Sequence, residues 1–313
     1  MKVIVVALLI LFVASNQLAQ VTRAQTPASK AGGPPAAPPG EGEEIGEDEV
    51  LRVTTNLVSI PVSVMDRDGR YIYDLRREDF RIYEDGAEQQ ISHFSSVEQP
   101  FTVVLLMDTS FSSAAYLGRI KETTNAFIAQ LRPADAVLPV TFDGIIRPLL
   151  SKGTSNRALL GAAIEKMRTD EGNNGTRLYD AVDFAYQSLR RTRGRKAVIL
   201  FTDGDDTWSR ATLKSTLNDA TELDALVYTI HYGSSPSNDY LSRLAEKTGG
   251  RFFQAADLET VRQSFDAVAE ELRRQYSIGY YPKESARRGK ERQLKVKVNR
   301  SNVGVRTRKS YIY

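Results

Sequence analysis

The chain has 313 residues, 41% of them hydrophobic and 26% charged, enough apolar material for one sizeable core and a smaller one. It contains no cysteine, which excludes disulfides, thiolate nucleophiles and zinc–thiolate centres together. A net charge of +3 makes no electrostatic case for nucleic acid.

Lys2 precedes an apolar run from Val3 to Val13, and polar residues lead on to the small residue Ala24. That order of charged, apolar and cleavage regions is the order of a signal peptide, expected over residues 1–24, with Ala19 as the competing cleavage position. The run is shorter than the about 20 residues that a membrane span needs. The signal peptide leads to the expectation of a secreted or periplasmic chain, with an uncleaved anchor as the alternative. No later stretch is apolar enough to span, so the mature chain is expected to have no membrane span. Residues 25–49 are rich in Pro, Ala, Gly and Glu and end in an acidic run from Glu41 to Glu49. Such a composition buries too little apolar surface to offset its ordering entropy and is expected to form a disordered spacer.

Residues 50–98 form a β-rich flank. Val58, Ile60, Val62 and Val64 alternate with less apolar neighbours, Asp66-Arg67-Asp68-Gly69 forms a turn, and Tyr71 to Tyr73 resumes an extended run. Phe80 to Tyr83 leads into Glu84-Asp85-Gly86, a hairpin signal, with Ile91 and Phe94 beyond it.

The grammar changes over residues 99–274. The run from Phe101 to Met107 is nearly continuous in its apolarity, as in a strand buried on both faces of a parallel sheet. Strands at Ala136–Phe142, Ala197–Thr202 and Ala225–His231 then alternate with helices expected at 156–167, 177–189, 210–223 and around Leu241. Leu258, Val261, Phe265, Val268 and Leu272 recur at helical spacing, and Asp257 is placed to cap that helix. Strand–helix alternation of this kind gives an α/β fold, a doubly wound, mostly parallel sheet with helices on both faces, Rossmann-like. Residues 275–313 return to β alternation at Tyr276, Ile278 and Tyr280, then at Leu294, Val296 and Val298, with a further strand within Val303–Tyr313. Neither flank is a complete domain, and chain ends usually lie together. The two flanks are therefore expected to form one small β-sandwich.

Asp108-Thr109-Ser110-Phe111-Ser112 directly follows the first buried strand, and Asp203 stands at the equivalent end of the 197–202 strand, in Thr202-Asp203-Gly204. Ligands bind at the carboxyl ends of such strands, where the winding reverses. Two partly buried carboxylates brought together there repel, and a cation relieves that repulsion. Ser110, Ser112 and Thr176 add hard neutral oxygens of the kind Mg2+ accepts. Each part has a plainer use: Asp108 and the serines as a helix cap, Thr176 as another, Asp203-Gly204 as a turn. Asp205 and Asp206 are expected to face solvent. Asn174-Gly175-Thr176 matches a glycosylation acceptor pattern, taken as chance.

In this order, Asp108, Ser110, Ser112, Thr176 and Asp203 resemble the metal ion-dependent adhesion site of von Willebrand factor type A domains, and the resemblance covers about residues 100–274. The β-rich flanks are similar to those of secreted bacterial proteins related to that family, including the acidobacterial type. The resemblance implies Mg2+ or Mn2+ held directly by the serines and the threonine, with the aspartates acting largely through water. It also implies a protein partner whose Asp or Glu carboxylate completes the shell, a function in adhesion or protein binding, and no catalysis. The loops around Phe111, Asn173 and Trp208 would then set specificity.

Enzymatic signals are missing. His93 and His231 are the only histidines, and there is no Gly-x-Ser-x-Gly elbow, His-Glu-x-x-His or phosphate loop. A Mg2+-dependent phosphatase of the haloacid dehalogenase type, with Asp108 as nucleophile, is the enzymatic rival, but that family has a second Asp two positions on, where this chain has Ser110. A structural or scaffold protein with a purely stabilising cation would keep the same five residues.

Overall fold

The computed structural model describes residues 57–96, 99–169, 175–233, 239–283 and 289–312, all within one compact unit. The expected leader and spacer lie outside the described residues, as do Asn173 and Asn174.

In chain order the elements are β1 (Val58–Met65), β2 (Phe80–Glu84), β3 (Ala87–Gln89), β4 (Ile91–Ser95), β5 (Phe101–Asp108), α1 (Leu117–Gln130), β6 (Ala136–Phe142), β7 (Ile146–Pro148), α2 (Arg157–Glu165) and α3 (Leu178–Leu189). There follow β8 (Arg195–Thr202), α4 (Leu213–Glu222), β9 (Leu226–Tyr232), α5 (Asp239–Thr248), β10 (Phe252–Ala255), α6 (Leu258–Arg274), β11 (Tyr276–Tyr280), β12 (Glu291–Val298), β13 (Gly304–Arg306) and β14 (Ser310–Ile312).

The central sheet runs β10-β9-β8-β5-β6-β7, parallel except for the antiparallel edge strand β7. Successive residues of β5 explain the apolar run: Val103, Leu105 and Met107 pack with Ile120 and Phe127 of α1, Leu160 of α2 and Phe265 of α6. Val104 and Leu106 pack on the opposite face with Val182 of α3, Leu217 of α4 and Leu244 of α5. Burial on both faces is what a strand with helices on either side requires.

The flanks close on each other as a sandwich of two antiparallel sheets, β13-β1-β11-β4 and β14-β12-β2-β3. Each sheet takes strands from both ends of the chain, and Ile60, Val62, Phe80, Ile82, Tyr276 and Ile278 form their shared core. Asp85 and Gly86 both have positive φ, 46° and 86°, in the two-residue turn between β2 and β3. Two details differ from the sequence reading. The final segment makes two short strands in different sheets, and Tyr71 forms only a single bridge, to Met65, where an extended run was expected.

Glu271 of α6, fully buried, joins the sandwich to the α/β domain. It accepts from Ser63 Oγ of β1 at 3.0 Å, Tyr71 Oη at 2.8 Å and Arg306 Nη1 of β13 at 2.8 Å. Gln275 continues the network, donating to Ser63 Oγ at 3.1 Å and to Tyr228 Oη of β9 at 3.3 Å.

The Gly249-Gly250 pair that ends α5 is tightly enclosed. A Cβ on Gly250 would sit 2.0 Å from the carbonyl oxygen of Val227 in β9. Gly250→Ala must displace main chain inside the sheet and is expected to destabilise by about 2 kcal/mol. Thermal melting should show this as a Tm fall of about 5 °C. An unchanged Tm would mean that the β9–β10 junction yields without strain.

Candidate metal centre

Asp108 ends β5, fully buried, and the chain then turns through a 3₁₀ segment, Phe111–Tyr116, into α1. The Ser110 N–H donates back to Asp108 Oδ1 at 2.9 Å, an Asx turn that folds the loop over the strand end. Ser113 Oγ donates to the Ser110 carbonyl at 2.7 Å and fixes the next turn. Ser110 Oγ and Ser112 Oγ lie 3.1 Å apart, and Ser112 Oγ donates to Asp203 Oδ1 at 3.1 Å. Asp108, Ser110, Ser112 and Asp203 thus form one hydrogen-bonded chain across the ends of β5 and β8. Ser110 makes no side-chain cap bond to the 3₁₀ turn, so the capping use of this loop is not the one adopted.

Thr176 reaches the same edge by its main chain. Its carbonyl accepts from Thr207 N at 2.9 Å and Trp208 N at 3.1 Å, and its N–H donates to Thr207 Oγ1 at 2.8 Å. Its hydroxyl makes no hydrogen bond with the described residues, and Arg177, not Thr176, is the N-cap of α3. Asp206, expected in solvent, is instead half-buried and accepts from Tyr179 N at 3.2 Å and Ser209 N at 3.3 Å. Asp180 of α3 accepts from Arg210 N at 3.0 Å and Ala211 N at 2.8 Å. These bonds lace the loop after Asp203 onto the start of α3. The helix α4 begins at Leu213 and not at Arg210 because Thr212, extended in backbone, caps it, accepting from Ser215 N at 3.1 Å. Asp205 is exposed, as expected.

Burial dominates the electrostatics. The Asp108 carboxyl is pushed up to about 6 by loss of water; bonds from Thr202 and Ser110 offset part of the shift, and the Asp203 charge adds to it. Asp203 is also raised, chiefly by burial, against the Ser112 hydroxyl that favours its charged form. Among the described residues no group of three or more His, Cys, Asp or Glu side chains is gathered for a metal. The oxygen donors that these bonds bring together are the carboxylates of Asp108 and Asp203 and the hydroxyls of Ser110 and Ser112. A hard divalent cation suits that set: it offsets two carboxylates that burial makes costly to ionise, and hydroxyl oxygens are hard neutral ligands.

Thr202 was not singled out in the sequence, although it stands in the Thr-Asp-Gly triplet. Its hydroxyl donates to Asp108 Oδ2 at 2.6 Å. The register brings it there, because Met107 pairs with Phe201 and Asp108 therefore comes level with Thr202. Tyr232 is a second such residue; its ring stacks on Phe201 with centroids 4.3 Å apart. Burial and the neighbouring Asp203 and Asp108 charges hold its hydroxyl protonated. His231 is buried and bonded to Gln254 at 2.9 Å; burial lowers its pKa, against the opposing pull of Asp203, and its role is structural.

Phe111 and Trp208 stand at the rim, 62% and 50% exposed. The indole lies directly on Gly175: a Cβ there would meet Trp208 Cδ2 at 2.1 Å. Gly175→Ala is expected to drive Trp208 off its seat, at about 1–3 kcal/mol. Trp208 is the only tryptophan, so its emission reports the displacement directly. An unshifted spectrum would contradict this packing.

Fold and site together define an α/β domain with hydroxyl and carboxylate groups converging at the carboxyl edge of its sheet. The model of the von Willebrand factor type A domain matches residues 102–267, and the chain belongs to that family. Domains of this family are commonly metal-dependent protein-interaction modules and generally non-enzymatic. The chain is similar in fold to a von Willebrand factor type A protein from Catenulispora acidiphila, at 12% identity over 84% of this chain and 75% of that one, TM-score 0.51. It is also similar to proximal thread matrix protein 1 from the mussel byssus, described with a zinc-occupied MIDAS motif, at 15% identity over 61% and 50% of the two chains, TM-score 0.52. Comparison with curated proteins gave no match. Among the described residues no helix is long and apolar enough to cross a membrane.

Proposed function

We propose that this chain is a secreted, cation-dependent protein-binding module that engages an Asp or Glu carboxylate of a protein partner through Mg2+ or Mn2+. Ser110, Ser112 and Thr176 would hold the cation, with Asp108 and Asp203 supplying most of the compensating charge through water. The observation that carries the reading is the hydrogen-bonded chain from Asp108 to Asp203 with its hydroxyl donors. Bound there, the cation supplies an electrophile that few direct anionic ligands satisfy, so an incoming carboxylate is attracted. The chain's own residues orient it: Thr202 and the Ser110 N–H fix Asp108, and the 203–211 loop holds the Thr176 main chain through Thr207 N and Trp208 N. Exposed Phe111 and Trp208 offer aromatic contacts to a partner. The proposed layout is a leader at 1–24, a spacer at 25–49, the type A domain at 99–274 and the sandwich strands in 50–98 and 275–313.

The test is calorimetric titration of Mg2+, Mn2+ and Zn2+ into chelator-stripped protein, followed by water-proton relaxation with Mn2+ bound. Saturable binding with strongly enhanced relaxation is expected, because an open position keeps exchangeable water for a partner to displace. Binding without that enhancement would favour a closed, purely stabilising cation. No binding of any of the three ions would reject the cation reading.

A further inference from the structure

We propose that Asp143, which the sequence reading did not single out, is the positioning residue that holds two loops of the candidate cation site in register. The inference rests on the cation reading above. Asp143 follows β6 and is fully buried. Its Oδ1 accepts from Ile145 N at 2.8 Å, and its Oδ2 accepts from Arg147 Nη1 at 2.6 Å and, at longer range, from Thr109 Oγ1 at 3.4 Å. Its carbonyl accepts from Arg177 N at 2.9 Å, and the preceding carbonyl, of Phe142, accepts from Thr109 N at 2.8 Å.

The two attachments are specific in their targets. Thr109 lies between Asp108 and Ser110, and Arg177 directly follows Thr176. One short corner after β6 therefore touches the loop that carries Asp108, Ser110 and Ser112 and the loop that carries Thr176. The carboxylate folds that corner on itself through Ile145 and Arg147, which sets the direction of its carbonyl. A buried carboxylate with one cationic partner and two further donors is satisfied without a ligand of its own. Its effect on a cation would run through the placement of Ser110 and Thr176, as outer-shell groups act in metal sites generally.

The experiment measures Mn2+ affinity by calorimetry at 25 °C, beside Tm, for wild type, Asp143→Ala, Arg147→Gln and the remote control Gly250→Ala. Asp143→Ala is expected to weaken Mn2+ binding about tenfold to a hundredfold, and Arg147→Gln about tenfold. Gly250→Ala should lower Tm and leave affinity alone. Arg147 is partly exposed, so its replacement decides the matter should Asp143→Ala fail to fold. Affinity unchanged in the corner variants, or lost equally in the control, would overturn the positioning role while leaving the cation reading intact. If wild type binds no Mn2+, the cation reading itself fails, and this inference with it.

Discussion

Asp108→Asn is expected to abolish cation binding, with an affinity loss above about a hundredfold, and at the same time to stabilise the cation-free protein. The two effects share one cause. Burial lifts the Asp108 carboxyl to about 6 in the fold, against about 3.9 when unfolded. That difference of about two units makes the ionised form cost the folded state about 3 kcal/mol at neutral pH. Because the folded value is the higher one, protonation favours the fold. The cost is full above about pH 6, shrinks as pH falls towards 4 and is absent below. Acidification from pH 7 to pH 5 should therefore relieve this cost in chelator-stripped wild type and weaken cation binding over the same window. The amide introduced by Asp108→Asn would keep the shape, accepting from the Ser110 N–H and meeting the Thr202 hydroxyl, but it carries no charge to relieve. The measurement is Tm against pH for both proteins in chelator, with the difference between them as the readout, since other carboxylates titrate in both. A constant difference from pH 7 to pH 5 would mean that the charge of Asp108 is already compensated inside the protein and that no cation is needed to balance it. With cation present, wild type should gain about 3 kcal/mol at a hundredfold excess over Kd, and the variant nothing.

The second large effect is expected at Glu271. Its carboxylate is enclosed by Ser63, Tyr71 and Arg306, contributed by the sandwich strands and their turns. Glu271→Ala strands an arginine and two hydroxyls and should destabilise by about 3–5 kcal/mol, towards the lower end because the Arg306 side chain keeps 25% exposure. Glu271→Gln, which still accepts from Ser63, should lose less. Denaturant unfolding can be followed by two probes. Trp208 emission reports the α/β domain alone, and far-UV circular dichroism reports all strands and helices. Wild type should give coincident transitions, because the network makes sandwich and domain one cooperative unit. Two separate transitions in wild type would show that the interface carries little energy.

The sequence by itself determined the α/β alternation, the two-sided burial of the 101–107 strand and the order Asp108, Ser110, Ser112, Thr176, Asp203. The first two are legible because they are local, periodicity within a strand or helix; of the third only Asp108, Ser110 and Ser112 are local, and Thr176 and Asp203 join them through the family resemblance. It also placed both flanks in one sandwich, but only by the proximity expected of chain ends. Tertiary structure alone decided that the last segment divides between two sheets, that Thr202 reaches Asp108 across 94 positions, and that Ser63 reaches Glu271 across 208. It likewise turned Asp206 from an expected solvent group into a loop fastener and brought Asp143 against Thr109. No periodic pattern announces such contacts. They follow from strand register and from hydrogen-bonding groups that must find partners once buried, and both are settled only when distant segments pack.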